Sequence, residues 1–396
     1  TALAPTALAP TVLAPAALAP TALAPTALAP TKLAPQQVAF FEVAATKAAA
    51  SVALAPSASA NCGDASAGAM LDRTTRDSSI RDADLVQLRA ISLEYTEAEL
   101  KVATQDWNPE RKLGVGCYGA VYRGELKDGS EVAIKAIDLD AVIGKGERQE
   151  DAGFDEEITM LSKFRHPNLV TLLGWGQQGV HRYLVYEYLA GGDLFRKLHR
   201  SRQKTGAQAF YWHRRLGVLL DAATGLSHLH NSTPKAYHHD IKSANVLLDK
   251  HGTAKMADFG LSCTSGALAK REKNEEKLVY GTPGYTCPLY ECTGRFTEGS
   301  EVYSYSMVML EVLTGLDPSV ADAQRPGGIA FPIAEDIAPG QPGALERCVQ
   351  GADASASWPP TLAQDLAILA LTGISGPDEQ ERPSFAEIVR SLRGHL

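Results

Sequence analysis

No two cysteines in this chain are close enough to form a CxxC pair. The six lie scattered at positions 62, 117, 263, 287, 292 and 348. That spacing suggests neither a zinc site nor a disulfide framework, and it fits reduced thiols in a cytosol-like compartment. A surplus of basic charge is also missing. Lys and Arg total 38 against 46 Asp and Glu, for a net charge of −8, so nucleic acid is not the expected partner. The chain also lacks an uncharged apolar run of about 20 residues, the length a membrane helix needs. The richest candidate, "VAFFEVAATKAAASVALAP", carries Glu42 and Lys47 in its middle.

What is present divides into three parts. Residues 1–35 are seven five-residue units of the TALAP type, with proline at every fifth position. Proline there forbids a continuous helix, and the composition reads as a semi-extended spacer. Residues 36–94 read as linker, rich toward their end in Ser, Ala, Asp and Arg without a sustained period. From Tyr95 to Leu396 the pattern becomes that of a folded domain.

"YTEAELKVATQDW" (95–107) has helical spacing, and the stretch that follows alternates apolar and polar residues. Asp128-Gly129 in "LKDGSE" marks a hairpin turn between two strands. A helix is expected over "DAGFDEEITMLSKF", then strands over "LVTLLGWG" and "HRYLVYEYL". After Gly191-Gly192 the periodicity is largely helical, in "RRLGVLLDAATGLSHLH", "VYSYSMVMLEVLTG", "LAQDLAILALTGI" and "FAEIVRSLRGHL". The class is α+β, with a small β-rich lobe and one key helix over 95–189, and a larger α-helical lobe over 190–396.

Within this frame "GVGCYGAV" holds Gly114, Val115, Gly116, Gly119 and Val121. A lone GxGxxG is weak evidence, and in a dinucleotide fold it ends a strand and opens a helix. Here "AVYRGEL" continues the strand pattern. The glycines therefore sit between two strands, where backbone amides can close over a polyphosphate. Lys135 ends the apolar strand "VAIK", and a lysine there needs an anionic partner. Glu157 in the next helix is the natural one. Further on, "YHHDIKSANVLLDKHGTAKMADFG" gathers Asp240, Lys242, Asn245 and Asp258. Asp240 suits acceptance of a hydroxyl proton or orientation of a nucleophile, and Lys242 suits neutralising a phosphoryl group in transfer. Asn245 and Asp258 are hard oxygen ligands for Mg²⁺. Phosphoryl transfer needs positioning and charge compensation more than covalent chemistry, and this set supplies both.

These motifs resemble those of protein kinases, over about Tyr95 to Leu396. Within kinases the chain is most similar to the receptor-like and Pelle/interleukin-receptor-associated group, through "HPNLVTLLGW", "YLVYEYLAGGDL", "GTPGYTCPLYECTGRFTEGSEVYSYSMVMLEVLTG" and "ERPSFAEIV". The resemblance implies a bilobal fold with ATP and Mg²⁺ in the cleft. Tyr186 would lie behind the adenine and Glu187 to Leu189 in the hinge. Val121, Ala133 and Leu247 would sandwich the base, and Asp193 would face the ribose. Lys242 two residues after Asp240, together with Thr282, matches the serine/threonine pattern, so protein hydroxyls in a cytoplasmic setting are the expected substrates. Cys117 would stand at the tip of the glycine loop, as a small polar side chain or a reactive thiol.

Four positions depart from the family pattern. His239 stands where an arginine is usual. Leu289 replaces a glutamate whose partner would be Arg382, with Glu291 nearby as a substitute. Glu301 replaces an aspartate that braces the catalytic loop, and Ser306 replaces a glycine. These leave a pseudokinase or scaffold as the alternative to an active enzyme. A neutral histidine is a weak phosphate clamp, so His239 is expected to rest on an acidic neighbour or solvent, with activity independent of activation-segment phosphorylation. The competing expectation has Lys270 or Arg271 reading a phosphate on Thr264.

Overall fold

A computed structural model describes residues 93–116, 119–139, 154–201, 209–273, 279–325, 327–374 and 381–396. The TALAP repeat, nearly all of the linker and Cys117 lie outside them.

The first lobe is one six-stranded sheet: β1 (Leu93–Glu94), β2 (Lys112–Gly116), β3 (Gly119–Glu125), β4 (Glu131–Asp138), β5 (Leu172–Gln178) and β6 (His181–Glu187). The order is β1-β5-β6-β4-β3-β2, with only the β1–β5 pair parallel. The last two residues of the expected linker are thus strand. Gly174 makes this possible, since a Cβ there would lie 2.3 Å from the Leu93 carbonyl oxygen. The turn at Asp128-Gly129 forms as expected: Gly129 has φ 83°, and Asp128 accepts the Ser130 N–H.

Helix α1 (Glu97–Thr104) starts in a Thr96/Glu99 capping box. It stops three residues short of the expected Trp107, because Gln105, Asp106 and Trp107 all take positive φ. Trp107 then stacks on Tyr183, with centroids 5.5 Å apart. Alternation along β4 serves both faces. Val132, Ile134 and Ala136 pack with Leu100 and Ala103 of α1, while Ala133, Lys135 and Ile137 face the other side. Helix α2 (Phe154–Lys163) buries Phe154, Glu157, Ile158, Met160 and Leu161. That stripe carries Glu157 inward at Lys135.

The second lobe is mainly helical: α3 (Leu194–Ser201), α4 (Trp212–His230), α5 (Ser265–Lys273), α6 (Pro288–Thr293), α7 (Glu298–Thr314), α8 (Ala344–Gln350), α9 (Pro360–Ile374) and α10 (Phe385–Arg393). Short strands β7 (Gly192–Asp193), β9 (Val246–Leu248) and β10 (Ala254–Met256) form a small sheet under the cleft, and β8 (Ala236–Tyr237) pairs with β11 (Cys263–Thr264). The two-lobed α+β class expected from the sequence is the one observed. Among the described residues no helix is long and apolar enough to cross a membrane.

Helix α7 is buried along nearly its whole length. Ser306 turns its hydroxyl back onto the Val302 carbonyl, 2.7 Å away. The facing residue is Gly373 of α9, where a Cβ would stand 2.0 Å from Ser306 Oγ. The glycine missing from α7 is thus balanced by one in α9. Gly373→Ala should cost about 1–3 kcal/mol from overpacking. Adding Ser306→Gly should recover most of that loss in a denaturant double-mutant cycle. Additive effects would show that the two positions do not share this space.

Candidate active site

Lys135 lies on β4 opposite Val121 of β3 and Leu184 of β6. Its Nζ is 2.8 Å from Glu157 Oε2 and 2.8 Å from Asp258 Oδ1. Burial alone would lower the lysine pKa, but the Asp258 and Glu157 charges outweigh it and hold the ammonium well above its ordinary value. Lys135 and then Lys242 keep Asp258 ionised below the usual carboxylate range, against burial. Asp258 takes φ 64° and is 43% exposed, so its carboxylate edge meets the open cleft. Phe259 turns the other way, fully buried, with its N–H donating to Glu157 Oε1.

On the cleft floor, Asp240 accepts from Thr282 Oγ1 at 2.6 Å and from Lys242 Nζ at 2.6 Å. Lys242 also reaches Thr282 Oγ1, closing a triangle. Asn245 donates its Nδ2 to the Asp240 carbonyl and carboxylate. That commits the amide nitrogen and leaves Oδ1 as an oxygen ligand. Ala257 N–H bonds the Asn245 carbonyl, which sets Asn245 beside Asp258. An oxygen pair next to a lysine that binds anions suits Mg²⁺ carried by phosphate.

The described part of the glycine loop is the paired ends of β2 and β3, Gly116 opposite Gly119. A Cβ on Gly119 would lie 2.0 Å from the Ala136 carbonyl oxygen, so only glycine fits there. Val115, near the end of β2, is 72% exposed. Ala133, Leu247 and Leu189 belong to the main apolar cluster, Val121 is half-buried, and Tyr186 is buried behind them. The Glu187 carboxylate accepts from Thr171 N–H and Lys255 Nζ. Asp193 is engaged by Arg196, through that residue's N–H at 2.7 Å and its Nε at 3.4 Å. Arg196 also donates to the Leu113 carbonyl across the cleft mouth, a contact the sequence reading missed. Its only signal was the i,i+3 spacing from Asp193.

The Protein tyrosine and serine/threonine kinase family profile matches residues 108–392. This chain is a member of the protein kinase family. PTI1-like tyrosine-protein kinase 3 of Arabidopsis thaliana is 34% identical over 78% of the chain and 73% of its own length. The probable serine/threonine-protein kinase PBL28 of the same plant is 41% identical over 56% of the chain and 57% of its length. Receptor-like serine/threonine-protein kinase ALE2 is 38% identical over 59% of the chain. In these matches the chain spans only 29% of ALE2 and 57% of PBL28.

The kinase's departures are accommodated one by one. Glu301 is 1% exposed, and its Oε1 accepts the backbone N–H groups of His238 and His239 at 2.5 and 2.7 Å. Its Oε2 meets His230 Nε2 at 2.5 Å. Arg382 bonds the Gly299 carbonyl at 2.7 Å and Cys287 Sγ at 3.2 Å, and covers the Tyr303 ring. Glu291 does not replace the missing partner: burial alone pushes its carboxyl up to about 7. His239 is buried rather than in solvent, and Glu301 is its acidic neighbour, accepting its backbone N–H. It is 6% exposed, stacked on Phe296 with centroids 3.7 Å apart, and its Nε2 is 3.2 Å from Cys263 Sγ. Ser262 is buried and donates to the His238 carbonyl, so it is closed to modification. The Lys270 and Arg271 side chains and the stretch Glu275 to Lys277 lie outside the described residues.

His230 gives a pH prediction. Burial would lower its pKa, but the Glu298 and Glu301 carboxylates raise it to about 9. Phe385 and Tyr237 pack their rings against it, and Lys235 pairs with Glu298. A folded pKa above the unfolded value near 6.5 gives stability that is full below pH 6.5 and lost as pH rises through about 9. The loss should be on the order of 3 kcal/mol. Unfolding free energies measured across this window should fall for wild type and stay flatter for His230→Gln. Equal slopes would remove His230 as the cause.

Proposed function

We propose that this chain transfers the γ-phosphoryl group of Mg²⁺-ATP to serine or threonine hydroxyls of protein substrates in signalling. The observation that carries the reading is the pair of assembled cores, Lys135 between Glu157 and Asp258, and Asp240 held by Lys242 and Thr282. Lys135 binds phosphate oxygens of the nucleotide and is kept charged and extended by Glu157. Val121, Ala133 and Leu247 hold the base, with the Glu187–Leu189 backbone at its edge and Tyr186 behind. Asp193 and Arg196 flank the ribose end, and the backbone of Gly114, Val115, Gly116 and Gly119 covers the phosphates. Asn245 and Asp258 hold the magnesium ion, whose bound chemistry is neutralisation of phosphate charge. The acceptor hydroxyl lies against Asp240, which orients it and takes its proton. Lys242 offsets charge on the phosphoryl group as it moves. Thr282 fixes the carboxylate and closes one side of the acceptor site.

The pseudokinase alternative draws on Leu289, Glu301, Ser306 and His239. The contacts around each favour a working scaffold. A reducing, cytosol-like location belongs to the proposal, supported by the free thiols of Cys263, Cys287, Cys292 and Cys348.

Lys135→Met and Asp240→Asn should each lower transfer from labelled ATP to a generic protein by roughly 10²–10³-fold or more, and Lys135→Met should also lower thermal stability because Glu157 loses its buried partner. Label should appear on phosphoserine and phosphothreonine. Full turnover in either variant, or label confined to phosphotyrosine, would defeat the assignment. His239 is buried against Phe296 where an arginine would clamp a phosphate, so exhaustive phosphatase treatment should leave basal transfer within about twofold. Activity that collapses and returns on autophosphorylation at Thr264 would contradict this.

A further inference from the structure

Cys263 and His239 form a buried contact that phosphoryl transfer does not use. Cys263 Sγ lies 3.2 Å from His239 Nε2, at hydrogen-bond distance for sulfur. Cys263 is 4% exposed and His239 6%. The thiol is on β11, whose partner across the ladder is Tyr237. The imidazole stacks on Phe296, and the Tyr237 ring meets it edge-on at 6.4 Å. Tyr237 and Phe296 also form part of the wall of a cleft of about 990 Å³ between α5, α6 and the start of α7. Those two rings are shared by the pair's surroundings and the wall of this cleft.

We propose that Cys263 is a modification site for small hydroperoxides, with His239 as its base, and that oxidation there disturbs the catalytic loop. With Nε2 as acceptor, the imidazole takes the thiol proton. The sulfur electron pair attacks the terminal peroxide oxygen, an S–O bond forms and the O–O bond breaks. The leaving hydroxide or alkoxide takes the proton from His239 and departs as water or alcohol. Sulfur is oxidised to a sulfenic acid and the peroxide is reduced. A first thiol reductant displaces water to give a mixed disulfide, and a second releases Cys263.

Two features connect this chemistry to Asp240. His239 is the preceding residue, held at φ 67° with its N–H on Glu301. An added oxygen at a sulfur this buried needs space taken by the imidazole and its Phe296 stack. The shift therefore falls on the residue that positions Asp240. The other cysteines provide controls. Cys348 is fully buried, and burial raises its thiol to about 11. Cys287 is buried beside an Arg382 nitrogen, a cation that favours the thiolate but accepts no proton, so it tests whether charge alone suffices.

The test uses the reduced full chain, hydrogen peroxide in small excess and a dimedone-type sulfenate trap, with each cysteine followed by peptide mass spectrometry. Cys263 should be trapped about tenfold faster than Cys287 and Cys348, or more. His239→Phe keeps an aromatic stack and removes the base, and should bring the Cys263 rate down to theirs. Refolding is checked by thermal unfolding. If that variant fails to fold, the comparison among the three buried cysteines of wild type still decides. Trapping at Cys263 no faster than at Cys348, or faster at Cys287, overturns the proposal, as does an unchanged rate in a folded His239→Phe variant. The activity arm rests on the kinase reading, whereas the trapping arm does not. Peroxide should lower transfer several-fold, with recovery by dithiothreitol, and Cys263→Ser should resist the loss. Trapping at Cys263 with no change in transfer would overturn the link to the catalytic loop.

Discussion

Everything at the cleft floor depends on one buried carboxylate. Glu301 accepts two consecutive backbone N–H groups, from His238 and His239, through a single oxygen. These donors sit where water does not reach, and buried donors must be satisfied. They are also what holds His239 at its positive φ and sets Asp240 on the far side of that bend. The second Glu301 oxygen meets His230. A buried carboxylate is costly unless paired, and His230, raised to about 9, supplies the charge. A glutamate is one methylene longer than the aspartate of related kinases, and here that length is taken up between α4, α7 and the catalytic loop.

The other departures follow the same logic of local compensation. Leu289 packs against the main core in place of a charge. The Arg382 guanidinium turns to a carbonyl, a thiol and an aromatic face. Ser306 fits because Gly373 leaves it room. Each change removes an interaction typical of the family and finds a neighbour suited to what replaced it. The Lys135, Glu157 and Asp258 cluster above is left undisturbed.

Much of this was legible in the sequence. Local patterns carried the two-lobe order, the hairpin at Asp128-Gly129, and the helix that points Glu157 at Lys135. What was hidden lay in contacts between residues far apart in the chain. Lys135 meets Asp258 across 123 residues. Arg215 is fully buried and spends its guanidinium on the carbonyls of Phe210 and Val312 and on Asp353. No periodicity announces that. The ends of α1 were misplaced because the left-handed residues after it are Gln, Asp and Trp, with no glycine to signal the stop. The ring of His239 looked like a failed cation because its partners, Phe296 and Cys263, come later in the chain. Arg196, Thr171 and Lys255 claim the carboxylates of Asp193 and Glu187, contacts that no local pattern announces.

The central claim is that the Glu301 charge braces the catalytic loop. Steady-state transfer by Glu301→Gln tests it most directly. The amide keeps the shape and removes the charge from two bonds, each charge-assisted and worth about 1.5–3 kcal/mol. The account predicts kcat down about tenfold or more, with KM for ATP nearly unchanged because the nucleotide groups are held elsewhere. A folded Glu301→Gln protein with kcat within about twofold of wild type would contradict it.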